Sequence, residues 1–369
     1  MRRILSAVLF CASGAAWAGP TELVYGSWIP QSDFLNTDAL PKAFEQIAKE
    51  TGGAVKWKIV PGGQLTDQND TYSAIEGGIM DGGSVIPSAN PSLLPSMAMI
   101  YSIAVEGQDV VAAAGAAIET VMLDCPSCLA EARAHNAIPL GGGAGSPMVL
   151  MCSQPIASAA ELKGLKIRTS GAATEIMALA GAETSNISLP EAPALLARKG
   201  LDCTTGSYVF LKVFGLSEVT PFVTNFSLGI AAPALALYMN RTSFEALSLE
   251  QKKAQLRGAA YLGATLSLDL STRLSGSVLN EEINNHGVKL VEPDIDFQEL
   301  FDRYKAGERG ASIERAIGLG VEKPEAILDA YERNVEKWRK LSDAIGGDTA
   351  KLAETLWQEV YSKVDPDSL

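Results

Sequence analysis

The residue best suited to chemistry in this 369-residue chain is one cation, Arg168. It closes the run Leu165-Lys166-Ile167-Arg168, where apolar and basic residues alternate as in a half-buried strand. A guanidinium is planar, permanently charged and able to grip a carboxylate through two parallel hydrogen bonds. Ligands of open α/β sheets collect at the carboxyl ends of strands, so this position predicts an anion site. The competing reading is a strand-end arginine in a surface ion pair, worth about 0–1 kcal/mol. Other candidate chemistry is sparse. The two histidines, His135 and His286, lack metal-ligand spacing. No nucleophile–base–orienter set is visible, which argues for a binding protein and against an enzyme, and no cofactor is expected. Cys125-Pro126-Ser127-Cys128 has redox-pair spacing but no strand-then-helix context. Gly141-Gly142-Gly143 is not followed by the Gly-Lys-Ser/Thr of a phosphate loop.

The elements around Arg168 read as an α/β unit. A helical start over 160–163 stops at Gly164, and the strand ends in Thr169-Ser170-Gly171, whose small polar groups are expected to cap a helix over 172–180. Backbone donors near Ser170 would add to an anion site. Pro190-Glu191 starts a second helix over 192–198, closed by Gly200, and a strand leaves from Leu201-Asp202.

Upstream, a first strand over 21–27 runs into an aromatic loop with Trp28, which either walls a cleft or staples the next helix. Helix 39–50 presents Leu40, Phe44 and Ile47 on one face, and strand 55–60 alternates Val55, Trp57 and Ile59 with lysines. Gly77-Gly78-Ile79-Met80-Asp81 echoes Gly200-Leu201-Asp202, as expected of two similar α/β lobes. Ser88, in a Pro- and Ser-rich loop, is a further candidate contact, although such a loop needs no ligand to explain it. Residues 109–135 read as helix and 137–152 as a strand pair broken by the three glycines. Residues 247–285 form a long helical run. The charged remainder is helical, with a stripe (Ala326, Ile327, Ala330, Val335, Trp338, Leu341) that packs on the body or joins two copies.

Met1-Arg2-Arg3, an apolar stretch to Ala16 and the small-x-small pattern Ala16-Trp17-Ala18 read as a secretory signal cleaved after Ala18. That predicts a periplasmic protein. Without Arg2 and Arg3 the chain holds 28 basic against 43 acidic residues, a net charge of -15. Nucleic-acid binding has no electrostatic basis there, and an anionic ligand needs a local positive site. Once Cys11 leaves with the leader, Cys125, Cys128, Cys152 and Cys203 remain; an even number in an exported chain suggests disulfides, with three pairings open.

Glu161-Leu162-Lys163-Gly164-Leu165-Lys166-Ile167-Arg168-Thr169, Gly181-Ala182, Leu189-Pro190-Glu191 and Gly200-Leu201-Asp202, in that order, resemble the periplasmic solute receptors of tripartite ATP-independent (TRAP) transporters, DctP type. The likeness extends from about Leu23 to beyond Tyr304. It implies an α/β, two-lobed periplasmic binding protein fold with a ligand cleft between lobes, a long lobe-spanning helix and a helical C-terminal extension. The expected division is 19–140 with 226–260 in lobe I, 141–225 with parts of 261–300 in lobe II, and 301–369 in the extension. The resemblance places an organic-acid carboxylate on Arg168 and implies integral membrane TRAP subunits as partners. It also favours a Cys152–Cys203 pair, leaving Cys125 and Cys128 to close a small loop.

Two departures narrow the ligand. Where many relatives carry a second arginine, this chain has Ser146, Pro147 and Met148, which favours a monocarboxylate with an apolar or aromatic tail over a dicarboxylate. Where relatives read Gly-Gln-Glu-Asn-Pro, this chain reads Cys203-Thr204-Thr205-Gly206-Ser207-Tyr208, so Thr205, Ser207 and Tyr208 become substitute contacts. Asn225, at the turning point of the return crossover, is the last candidate. The rival functions are a receptor for an ATP-driven importer, a sensory component, and an exported oxidoreductase using Cys125 and Cys128.

Overall fold

A computed structural model describes residues 20–105, 107 and 109–369; the expected leader lies outside the described residues. Eleven strands among the described residues form two sheets. The first contains β1 (Thr21–Gly26), β2 (Val55–Val60), β3 (Gly82–Val85), β4 (Ala137–Gly143) and β10 (Ala234–Asn240), in the order β2-β1-β3-β10-β4. The second contains β5 (Val149–Cys152), β6 (Lys166–Arg168), β7 (Glu183–Ser185), β8 (Cys203–Gly206), β9 (Phe222–Thr224) and β11 (Lys289–Val291), in the order β11-β9-β5-β8-β6-β7. Each sheet is parallel except for one inserted strand: β10 runs antiparallel to β3 and β4, and β5 antiparallel to β8 and β9.

Side-chain alternation sets both faces of the second sheet. Along β5, Val149 and Met151 enter one core with Leu189, Leu196 and Val223, while Leu150 and Cys152 enter another with Ile167, Ile176 and Phe301. The echo between Asp81 and Asp202 is structural. Each aspartate exchanges bonds with the backbone of one residue on a neighbouring strand: Asp81 Oδ2 accepts from Val24 N at 2.7 Å, and Asp202 Oδ2 from Lys166 N at 2.8 Å. Their own backbone amides donate to the same two residues' carbonyls, both at 2.8 Å.

The chain passes between sheets from β4 to β5, from β9 to β10, and along a continuous helix, Leu249–Ala264, Thr265–Leu274 and Ser275–His286, whose middle stretch is π-type. This is the expected lobe-spanning helix. The strand pair expected over 137–152 is corrected: β4 and β5 belong to different sheets, and the three glycines lie within β4. They permit close approach, since a Cβ on Gly142 would stand 2.4 Å from the Ala234 carbonyl oxygen of β10.

From Ala316 onward the helical C-terminal region belongs to the first core, whereas Phe301 and Tyr304 enter the second. Helix Pro324–Ile345 packs on helix Val110–Glu119, burying Ile327, Ala330 and Trp338, with Val335 and Leu341 partly buried on the same core; of the apolar stripe only Ala326 stays exposed. Among the described residues no single helix is long and apolar enough to cross a membrane.

Cys152 and Cys203 face each other in the β5–β8 register and are disulfide-bonded, as are Cys125 and Cys128. The second pair sits at a bend between two helices, with Cys125 1% and Cys128 0% exposed. That is the setting of a structural staple, shielded from a protein substrate.

Candidate functional site

Arg168 ends β6, where Ile167 turns into the core and Arg168 to the opposite face. The side chain is 3% exposed, and its Nε donates to the carbonyl of Ile187 at 2.9 Å. Among the described residues no carboxylate pairs with it. Loss of water around the charge pushes its pKa down to about 10. It therefore remains a cation at neutral pH, held in a dry place without a counter-ion. Tyr101 lies alongside; burial raises its phenol pKa, an effect that Arg168 and the Ser170 hydroxyl oppose.

Arg168 lines a cavity of about 180 Å³ between the two sheets, and is the only basic residue on its wall among the described residues. The first lobe contributes Trp28, Leu35 and Tyr101, and the second Leu189, Phe210 and Phe214. Leu266 and Leu270 of the spanning helix close one side. Trp28 is fixed by its indole N–H, which donates to the Ser84 carbonyl at 3.0 Å. Most of the wall is therefore apolar, with few polar groups to orient a ligand, the usual composition of a small-molecule site. Gln68 joins the lobes beside it: its Oε1 accepts from the Leu189 amide at 3.0 Å.

The family model of bacterial extracellular solute-binding proteins, family 7, named DctP, matches residues 26–303. The chain belongs to this family. The resemblance read around Arg168 is thereby borne out. Solved TRAP solute-binding proteins share the fold. One from Bordetella bronchiseptica, with bound (R)- and (S)-mandelate, is 22% identical with a TM-score of 0.73, over 86% of this chain and 99% of that one. One from Rhodoferax ferrireducens, with copurified benzoate, is 20% identical with a TM-score of 0.73, over 87% and 99%. A marine metagenome protein described as specific for aromatic acid ligands, with 3-hydroxybenzoate, is 19% identical with a TM-score of 0.74, over 87% and 99%.

In this DctP-family chain, four of the candidates from sequence meet at the cavity: Trp28, Arg168, Ser170 and Ser207. Four do not line it. Ser88 lines a second cavity of about 260 Å³, which shares Ser170 and also includes Asn186 and Arg315. Thr205 is fully buried in β8, its hydroxyl directed at the Arg168 carbonyl at 3.5 Å, so it supports the arginine's backbone. Tyr208 is half-buried against the core around Leu211 and Leu216. Asn225 is exposed and ties the crossover to the end of β11: its side chain donates to Glu292 at 3.0 Å and its amide to the Val291 carbonyl at 2.9 Å. The expected cap on the helix after Arg168 is also corrected. Gly171 occupies the cap position at φ +56° with no side-chain bond, and Ser170 faces the cavity instead.

Asp33, Gln68, Tyr101, Phe210 and Phe214 line the cavity without having been singled out. Asp33 stands in the loop chosen for Trp28, but a carboxylate is not what an anion site suggests. Gln68 and Tyr101 carry no local pattern; only the meeting of distant segments places them there. Ser146 and Met148, noted as replacements for a second cation, do line the wall.

Proposed function

We propose that this chain is an extracytoplasmic receptor that captures a monocarboxylate with an apolar or aromatic tail in the cleft between its lobes. The observation that carries this is the Arg168 guanidinium, 3% exposed, without an acidic partner among the described residues, on the wall of a mostly apolar cavity. A ligand carboxylate supplies the missing counter-ion, with charge-assisted hydrogen bonds worth about 1.5–3 kcal/mol each. The bound mandelate, benzoate and 3-hydroxybenzoate of the three similar structures support the same ligand class. Because Trp28 and Tyr101 come from one lobe and Arg168 and Phe210 from the other, the full set of contacts exists only when the cleft is closed, so ligand favours closure.

We take the two lobes as the closing units, the first extended to Gly143 and including helix Pro324–Ile345, a division that membership of the first sheet and first core supports. The leader is removed after Ala18, and the closed receptor docks on integral membrane TRAP subunits, which carry the acid inward.

The test is titration calorimetry on mature protein freed of ligand by unfolding and refolding, with benzoate and benzamide as probes. The acid should bind and the amide should not, and Arg168→Ala should lose about 2–5 kcal/mol. Equal binding of acid and amide would overturn the carboxylate assignment.

A further inference from the structure

The apolar cavity holds a carboxylate as well as a cation. Asp33 lines it, is 7% exposed and forms no ion pair among the described residues. One of its oxygens, Oδ1, accepts from the Leu35 amide at 2.8 Å. A carboxylate has room for about four donors, so most of its capacity is open. Two more polar groups on the wall are incomplete. The hydroxyls of Ser146 and Ser207 are buried without a hydrogen-bond partner, in residues 5% and 7% exposed. Buried polar groups are nearly always paired, so orphans on a cavity wall mark places where an occupant completes the set.

Resting on the carboxylate reading above, we infer that the ligand of this receptor carries a hydrogen-bond donor on its tail, a hydroxyl or N–H, received by Asp33, and that Asp33 is a specificity-determining residue. An acid with a wholly apolar tail would place a second carboxylate in one dry cavity with Asp33 and leave Asp33 unanswered. That is repulsion without compensation. An acid with a donor meets both charges, its carboxylate on Arg168 and its donor on Asp33. Ser146 and Ser207 can each donate or accept, so they add contacts to either end of the ligand. A cap on the Leu35 amide does not by itself require a carboxylate, because the amide oxygen of asparagine serves as well.

Matched pairs of acids read the inference directly. Calorimetry would compare benzoate with the three hydroxybenzoates, and phenylacetate with both mandelate enantiomers. Wild type should bind the best hydroxylated member about 10- to 100-fold tighter than its parent, the range for a hydrogen bond to a charged group. Asp33→Asn removes the charge and keeps the cap. It should erase most of that preference and bind benzoate tighter than wild type does, a crossing that misfolding cannot produce. Wild type binding parent and hydroxylated acids equally, with Arg168 still required, would overturn the role of Asp33 and leave the carboxylate reading standing. Unaltered preference in Asp33→Asn would do the same. If no acid binds, or if Arg168→Ala binds as wild type does, the carboxylate reading falls and this inference with it.

Discussion

Gln68 of the first lobe accepts a hydrogen bond from the Leu189 amide of the second, at 3.0 Å and fully buried, on the wall of the cavity that Arg168 lines. It is a direct bond between lobes beside the cavity, and on the proposed reading it should favour the closed, occupied form. Replacing Gln68 with leucine strands a buried amide, which costs about 1–3 kcal/mol. Affinity for a bound acid should fall about 5- to 100-fold. Small-angle scattering at an acid concentration that closes wild type but lies below the variant's dissociation constant should show the open form persisting in the variant. Unchanged affinity in calorimetry would show that the bond does not contribute to closure.

Arg168 is a buried cation that no carboxylate pairs with among the described residues. A neutral side chain of similar length should therefore relieve a penalty even as it abolishes binding. Arg168→Met should melt at a higher temperature than ligand-free wild type and show no shift with benzoate. A lower melting temperature than wild type, with the cavity intact, would mean that the Ile187 bond outweighs the desolvation of the charge.

Asp33 predicts a pH signature in stability. Burial raises its carboxyl pKa, opposed in part by the bond from Leu35. Its folded value lies above the unfolded one, so its ionisation costs stability at neutral pH. That cost is relieved as pH falls from the folded value toward about 3.9, the unfolded carboxylate range. The advantage of Asp33→Asn in melting temperature should thus be largest near pH 7 and shrink toward pH 4. A difference constant over that range would mean that Asp33 titrates normally.

The two disulfides should differ in weight. Cys152–Cys203 closes a separation of 51 residues and Cys125–Cys128 one of 3. Chain-entropy reasoning assigns about 4 kcal/mol to the first and about 1.6 kcal/mol to the second. Denaturant unfolding of the Cys152→Ser/Cys203→Ser and Cys125→Ser/Cys128→Ser proteins checks the order.

Trp338 tests how far the C-terminal region belongs to the body. It is fully buried, and its indole N–H donates to Glu119 at 2.7 Å. Trp338→Ala should cost about 3–5 kcal/mol of stability. Affinity measured well below the melting point should not change, since the residue does not line the cavity.

Much of this molecule is determined by short-range sequence pattern. Alternation over Leu165–Arg168 and Val55–Val60 gives strands, Gly52, Gly77 and Gly200 give stops after the helices Leu40–Glu50, Thr71–Glu76 and Ala192–Ala197, and the Asp81 and Asp202 echo reports one repeated strand-end contact. The position of Arg168 at a strand end, and the residues flanking it, carry the family. Tertiary structure alone decided what faces the cavity. Thr205, Ser207 and Tyr208 are neighbours in sequence, yet only Ser207 lines the wall, because Thr205 is held inside β8 and Tyr208 turns to the core. Asn225 is taken by Glu292. Asp33, Gln68 and Tyr101 reach the site through segments far apart in the chain; of the three glycines of β4, Gly142 makes room for β10, a strand that returns from beyond the second lobe, while Gly141 and Gly143 make room for the spanning helix at Ala259 and Leu266. Local periodicity reports which face of an element is apolar. It does not report which distant element will cover that face, and in a two-lobed protein the site is made where those elements meet.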